Sequence, residues 1–260
     1  MQMPLLDVKN LTKHFGGLTA VSHVNITLDQ NELVGLIGPN GAGKTTLFNL
    51  LTGVYVPSEG DVLFTVDGQE KRLNGMKPYK IADMGLSRTF QNIRLFKDLT
   101  VMDNVLIAMN SKVHNGLFSS VLRLPKFYKN DEKMREKARE LLAIFDLDKK
   151  VNTLAKNLPY GEQRRLEIVR ALATEPKLLF LDEPAAGMNP QETAELTQLI
   201  RKIQREFGLT IILIEHDMSL VMEVCERIYV LEYGQVIAHG TPTEIKNNPR
   251  VIQAYLGGEI

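Results

Sequence analysis

Residues 33–51, Leu-Val-Gly-Leu-Ile-Gly-Pro-Asn-Gly-Ala-Gly-Lys-Thr-Thr-Leu-Phe-Asn-Leu-Leu, decide the fold. Leu33 to Ile37 is a short apolar run that reads as a buried strand. Gly38-Pro39-Asn40-Gly41-Ala42-Gly43-Lys44-Thr45 then fits the glycine-rich pattern G-x-x-x-x-G-K-[ST]. Lys44 to Leu51 favour helix, and Gly53 is well placed as its C-terminal stop. A strand that enters a glycine-rich turn and opens a helix is the context this motif requires. The glycines let backbone N–H groups turn inward on an anion, and the helix N-terminus adds its positive dipole end. Lys44 is expected to reach the β- and γ-phosphates of a nucleotide, and Thr45 to offer its hydroxyl to Mg²⁺. The expected nucleotide contacts are Gly38, Pro39, Asn40, Gly41, Ala42, Gly43, Lys44, Thr45 and Thr46. The competing reading is a glycine turn with an incidental Lys-Thr.

Two later strands bear on the same chemistry. Leu178-Leu179-Phe180-Leu181 ends in Asp182-Glu183, which puts both carboxylates at the C-terminal edge, where α/β sheets bind ligands. Asp182 is the expected Mg²⁺ partner. Glu183, one residue on, points differently and is placed to deprotonate an attacking water, a role typically worth about 10² to 10⁴ in rate. Ile211 to Ile214 repeats the device and delivers His216 to the same edge, in hydrogen-bond reach of a γ-phosphate. Read alone, a carboxylate pair or a histidine after a strand is more often a solvated turn; the phosphate loop changes that reading.

Organisation follows from the same patterns. Leu5 to Val8 and the alternating Val24 to Leu28 predict a β-rich start. Met134, Ala138, Leu141, Leu142 and Phe145 recur at helical spacing in a middle region of about 96–158. Between the two late strands lies a helix with inner stripe Leu196, Leu199, Ile200, Ile203 and Phe207; Asn189, Pro190 and Glu192 start it and Gly208 ends it. Strand, helix and strand form a parallel βαβ unit. Ile228 to Leu231 and Val236 to Ala238 flank a hairpin turn, and Pro242 leads into a final short helix. No repeat or low-complexity tract interrupts the 260 residues.

Composition narrows the partners. Thirty-one Lys and Arg balance thirty-one Asp and Glu, so no overall field draws the chain to nucleic acid. With Cys225 as its one cysteine the chain forms no internal disulfide and no thiolate metal cage, as suits a reducing compartment. No apolar run approaches the roughly 20 residues of a spanning helix, and the start, with Asp7, lacks the features of a secretory signal. The chain is expected to stay where it was made. The C-terminal helix nearly exhausts the sequence, and no regulatory extension is expected.

Taken in order, the glycine loop, Arg88-Thr89-Phe90-Gln91, Leu158-Pro159-Tyr160-Gly161-Glu162-Gln163, the Asp182-Glu183 strand end and His216 resemble the ATP-binding subunit of an ABC transporter, over about residues 5–257. Within that family, residues 88–96, 158–168, 183–190 and 250–257 are similar to the branched-chain amino-acid importer subunit. The resemblance implies an α/β fold: a P-loop NTPase (RecA-like) parallel-sheet core with an N-terminal antiparallel β region and an inserted α-helical lobe. Residues 1–95 and 159–260 would form the core and about 96–158 the lobe, within one ABC ATPase domain. It implies ATP and Mg²⁺ as cofactors, with Phe15 stacking on adenine and Gln91 touching the metal or water and sensing the permease. The alternative for Phe15 is a core ring before a Gly-Gly turn. The 158–163 stretch, through Tyr160, Gly161 and Glu162, would bind the ATP held by a second ATPase subunit, identical or sister, in a head-to-tail dimer. Two membrane permease subunits and an extracytoplasmic binding protein complete the implied assembly, which places the chain peripherally on the cytoplasmic face of the membrane.

Two departures stand out against the family pattern. Pro159 and Tyr160 replace a serine and a glycine, which removes one charge-assisted hydrogen bond of roughly 1.5–3 kcal/mol and predicts a weaker grip on nucleotide. Ala185 to Asn189 replaces the usual S-A-L-D, and Asn189 already has a capping task. Ser111 to Asn130 carries four basic and no acidic residues among apolar ones; it is either a solvated helical element or a surface near anionic headgroups or a permease loop. Transport of urea, amides or other amino acids stays open at this stage. A soluble ABC ATPase acting on nucleic acid usually carries two cassettes or a coiled-coil insertion, which are missing here, and no G-x-G-x-x-G after a strand suggests a dinucleotide enzyme.

Overall fold

Leu33–Ile37 (β3) is buried at every residue and lies between parallel neighbours, so the phosphate loop leaves from the middle of a sheet. In this computed structural model, which describes residues 3–110 and 125–256, that sheet has six strands in the order β10-β9-β3-β8-β7-β6. They are Gln235–Gly240 (β10), Arg227–Glu232 (β9), β3, Thr210–Ile214 (β8), Leu178–Asp182 (β7) and Leu86–Arg88 (β6). Five run parallel, and β10 is antiparallel to β9. The buried residues of β7 and β8 explain why these strands read as continuous apolar runs: both faces are covered. The β9–β10 turn places Tyr233 and Gly234 at φ 46° and 77°, the left-handed pair of a tight hairpin.

A second sheet is antiparallel, in the order β2-β1-β4-β5, from Leu6–Phe15 (β1), Leu18–Leu28 (β2), Glu59–Val66 (β4) and Gln69–Arg72 (β5). Val24, Ile26 and Leu28 alternate into its core as their spacing predicts. The β1 strand runs seven residues beyond the expected Val8, and the β4–β5 hairpin was not anticipated, because Asp61 and the charged β5 mask the apolar pattern.

Lys44–Leu51 (α1), Pro78–Asp83 (α2), Pro190–Phe207 (α6), Met218–Val224 (α7), Pro242–Lys246 (α8) and Pro249–Leu256 (α9) complete this unit, which spans 1–88 and 177–260. The start of α6 is a full capping box: Asn189 accepts from the Glu192 N–H while Glu192 accepts from the Asn189 N–H. Gly208 closes it at φ 57°. Leu196, Ile200 and Ile203 are buried, but Phe207 is exposed; the apolar stripe ends a turn earlier than expected. The final segment is two helices, because Asn247 and Asn248 break it ahead of Pro249.

The second compact unit, 89–176, contains Val101–Asn110 (α3), Pro125–Ile144 (α4) and Tyr160–Leu172 (α5). Ala138, Leu141, Leu142 and Phe145 are buried and Met134 is half-buried, in keeping with their spacing. The expected lobe, 96–158, lies wholly within this unit, which also takes in 89–95 and 159–176. The reason is a buried ion pair on α5 that holds the 90–94 backbone, described below. The basic, apolar stretch of 111–130 lies outside the described residues, apart from the backbone of 125–130 that opens α4.

Candidate phosphate-binding and hydrolytic site

The 38–43 turn is shaped by what packs under it. A Cβ at Gly43, where φ is 100°, would sit 2.6 Å from the Ala20 carbonyl oxygen, and one at Gly38 would strike the Leu231 carbonyl. Gly41, by contrast, faces open space. Gly43 caps α1 without a side-chain hydrogen bond, and the first turn of the helix holds no acidic residue. Its N-terminal amides and dipole are therefore left for an incoming anion. Lys44, almost fully buried, curls back so that Nζ donates to the carbonyls of Gly38 at 2.6 Å and Pro39 at 3.1 Å. Burial lowers its proton affinity, and the charges of Glu183 and Asp182 raise it again. An ammonium tied to two loop carbonyls and flanked by two carboxylates is poised for polyphosphate oxygens. Thr45 is exposed and Thr46 half-buried on the same first turn.

Parallel pairing brings the remaining strand ends into line: Asp182 on β7 pairs with Ile214 on β8. Asp182 is buried, and Arg88 Nη2 donates to its Oδ2 at 2.6 Å. Arg88 also donates from Nη1 to Asn49 Oδ1 at 2.6 Å on α1. One guanidinium thus links the acidic strand end to the helix that follows the phosphate loop, using two of its N–H donors on two different partners. The sequence carries no local signal for this role of Arg88, because its partner lies 94 positions away. Glu183 sits at φ 48°, a left-handed conformation that costs a non-glycine residue on the order of 1–3 kcal/mol. Its N–H donates to the Ile214 carbonyl at 2.9 Å. From that position Glu183 Oε1 lies 2.9 Å from His216 Nε2, with the carboxylate largely buried and the imidazole half exposed. The two side chains delivered to this edge therefore meet directly.

Phe15 is exposed at the β1–β2 turn and makes an edge contact with Tyr55, ring centroids 5.3 Å apart. Lys13 Nζ lies over the ring, 5.1 Å from its centroid, and an exposed ring there disagrees with the core alternative.

In the second unit Gln91 is exposed and its backbone is held from α5. Arg164 is fully buried and donates to the carbonyls of Phe90 at 2.6 Å and Gln91 at 2.7 Å and to Glu167 Oε2 at 2.8 Å. Glu167 Oε1 in turn accepts from the N–H of Arg94 at 3.1 Å. Burial pushes the Glu167 carboxyl up, while the Arg94 amide and Arg164 pull it down. Sequence reading missed this pair, although an Arg and a Glu at i and i+3 among Leu166, Ile168 and Val169 are a signal for a buried bridge. Tyr160 is exposed at the first turn of α5, Gly161 is buried, and Glu162 accepts from Lys150 Nζ through both oxygens at 2.6 and 2.7 Å. Pro159 occupies the N-cap with no side-chain hydrogen bond, as its lack of a hydroxyl requires.

Fold and strand-end chemistry together define a phosphate-loop ATPase. Comparison with known proteins places it more narrowly. A family model described as ABC transporter matches residues 21–186, and one described as branched-chain amino acid ATP-binding cassette transporter matches 235–260. The high-affinity branched-chain amino acid transport ATP-binding protein LivG of Escherichia coli is 49% identical over 257 residues, 99% of each chain. Its counterpart BraF of Pseudomonas aeruginosa is 46% identical, again over 99% of each. Among solved structures, the ADP conformation of the cassette MJ1267 superposes with a TM-score of 0.83 at 31% identity, covering 98% of this chain and 99% of that one. A dimeric cassette, MJ0796, superposes at 0.75 with 26% identity, covering 91% and 98%. The chain belongs to the ABC transporter family of ATP-binding subunits; it binds nucleotide and hydrolyses ATP.

Proposed function

We propose that this chain is the ATP-hydrolysing subunit of an importer for branched-chain amino acids. The observation that carries the hydrolytic part is the 2.9 Å contact of Glu183 with His216 at adjacent strand ends beside the phosphate loop. The substrate assignment draws support from the near full-length similarity to LivG and BraF and from the matching 235–260 segment.

In this reading the loop amides of 38–43 and Lys44 Nζ hold the β- and γ-phosphates, with Lys44 exchanging its two carbonyl partners for phosphate oxygens. Phe15 offers its ring to adenine. The hard oxygens of Thr45 and Asp182 fit Mg²⁺, and among the described residues no cluster of three or more His, Cys, Asp or Glu is arranged to hold a metal. That suits an ion that takes one or two carboxylates and completes its shell with phosphates and water. Bound there, Mg²⁺ neutralises developing phosphate charge. Arg88 orients the Asp182 carboxylate through a charge-assisted hydrogen bond. Glu183 accepts a proton from the attacking water, and His216, bonded through Nε2, orients that carboxylate and presents its imidazole edge to the γ-phosphate. The family resemblance gives Gln91 its part in contacting the metal or water and in reporting the state of the permease.

The second half of the site comes from residues 158–163 of another ATPase subunit in a head-to-tail dimer, and two membrane permeases with an extracytoplasmic binding protein complete the importer. Among the described residues no helix is long and apolar enough to cross a membrane; we assign the chain to the cytoplasmic face as a peripheral subunit. The test is reconstitution with those membrane subunits and the binding protein in proteoliposomes. ATP-dependent accumulation of leucine, isoleucine and valine is expected, and uptake of urea or amides in their place would redirect the substrate assignment.

A further inference from the structure

One buried carboxylate beside the hydrolytic pair has no part in the scheme above. Glu215 follows β8 and is 4% exposed. Its Oε1 accepts the Ala185 N–H at 2.7 Å, two residues after Glu183, and its Oε2 accepts the His216 N–H at 3.1 Å. The Asp217 N–H also donates to it. Burial raises the Glu215 proton affinity, and these three amides lower it. The bonds close a ring: Glu183 through Pro184 to Ala185, across to Glu215, along the chain to His216, and from His216 Nε2 back to Glu183 Oε1 at 2.9 Å.

Such a ring matters because neither strand-end turn is held in place by regular structure. Glu183 is in a left-handed conformation that the surroundings must enforce. The ladder bond from its N–H to Ile214 fixes one end of the turn, and Glu215 fixes the other. We infer that Glu215 is a positioning residue for hydrolysis, tying the turn after Glu183 to the loop that carries His216 and so setting the distance at which the two side chains meet. This rests on the reading that Glu183 and His216 act on the γ-phosphate and its attacking water.

The test uses the full chain and steady-state ATP hydrolysis. Glu215→Gln keeps the shape but sets an amide NH₂ against one of the backbone donors, so one bond is lost and two donors face each other. About a tenfold drop in kcat is expected, with KM for ATP near wild type and Tm lowered by a few degrees at most. His216→Ala should lower kcat further, and the double variant should be no slower than His216→Ala alone, since Glu215 works through the histidine. Unchanged kcat in Glu215→Gln, or a drop that multiplies with that of His216→Ala, would overturn the inference. A fall of kcat accompanied by a rise in KM and a large fall in Tm would reduce Glu215 to a structural group and overturn it as well. Should Glu215→Gln not fold, Glu215→Asp, which keeps the charge with a shorter reach, is read by the same criteria. If His216→Ala itself hydrolyses ATP at the wild-type rate, the reading of the Glu183–His216 pair fails instead, which separates the two failures.

Discussion

The strand ends of the first unit and the start of α5 in the second hold functional groups in opposite ways. At the strand ends, parallel β3, β7 and β8 set the direction of Lys44, Asp182, Glu183 and His216, because each leaves a fully buried strand at the same edge. Position follows from topology, and local bonds only refine it. In the second unit the 90–94 segment has no strand to guide it, and the buried Arg164–Glu167 pair holds its backbone from α5. In the first arrangement the strand framework, though not the fine spacing of its side chains, outlasts the loss of one side chain. The second concentrates the placement of a loop in one ion pair, where removing a partner strands a buried charge.

The largest effect expected from this contrast is at Lys44. Lys44→Ala removes the cation of the phosphate loop while the fold, set by the strands, persists. ATP binding by isothermal titration should become undetectable with Tm within a few degrees of wild type. A Tm collapse would show that the loop supports the fold after all.

Next in size is the buried pair. Arg164→Met should destabilise the protein by about 3–5 kcal/mol in denaturant unfolding, because Glu167 is left buried without its partner. Arg164→Met with Glu167→Leu should recover most of that loss. A single variant within about 0.5 kcal/mol of wild type would mean that the 90–94 loop is held by something else.

A smaller effect is expected at the N-cap of α5. Pro159→Ser restores a hydroxyl able to cap the helix and to reach a partner subunit's nucleotide, a gain of up to roughly 1.5–3 kcal/mol in ATP-dependent dimerisation. Sedimentation in the Glu183→Gln background measures it; weaker dimerisation would contradict the proposed role of 158–163.

The smallest concerns Cys225, buried against Gly35 in the first unit. Burial raises its thiol pKa far above the ordinary value. An acid whose folded pKa is raised contributes stability below its unfolded pKa and loses it as pH rises past that value. Above about pH 9 wild type should therefore lose stability faster than Cys225→Ala, by up to about 1.4 kcal/mol per pH unit. Parallel stability curves would show that the thiol titrates normally in the folded protein.

Legibility in the sequence divides along the same line. The phosphate loop, β7, β8 and the capping box of α6 were readable because buried parallel strands and caps have local signatures. That Glu183 and His216 share one edge was readable from two strands ending there, but their direct contact was not. Arg88 and Glu215 were not readable as site residues, since their partners lie 94 and 30 positions away; the Arg164–Glu167 pair left an i, i+3 signal, but its hold on the backbone of Phe90, 74 positions off, did not. The charged β5 hid a hairpin for a related reason: an exposed edge strand carries no apolar alternation.

The central claim is that the strand-end carboxylate of Glu183 performs the proton transfer of hydrolysis and takes no part in holding the nucleotide. Glu183→Gln, which preserves shape, should bind ATP with wild-type affinity while steady-state hydrolysis falls by about 10²-fold or more. Hydrolysis at the wild-type rate, or loss of ATP binding together with turnover, would contradict it.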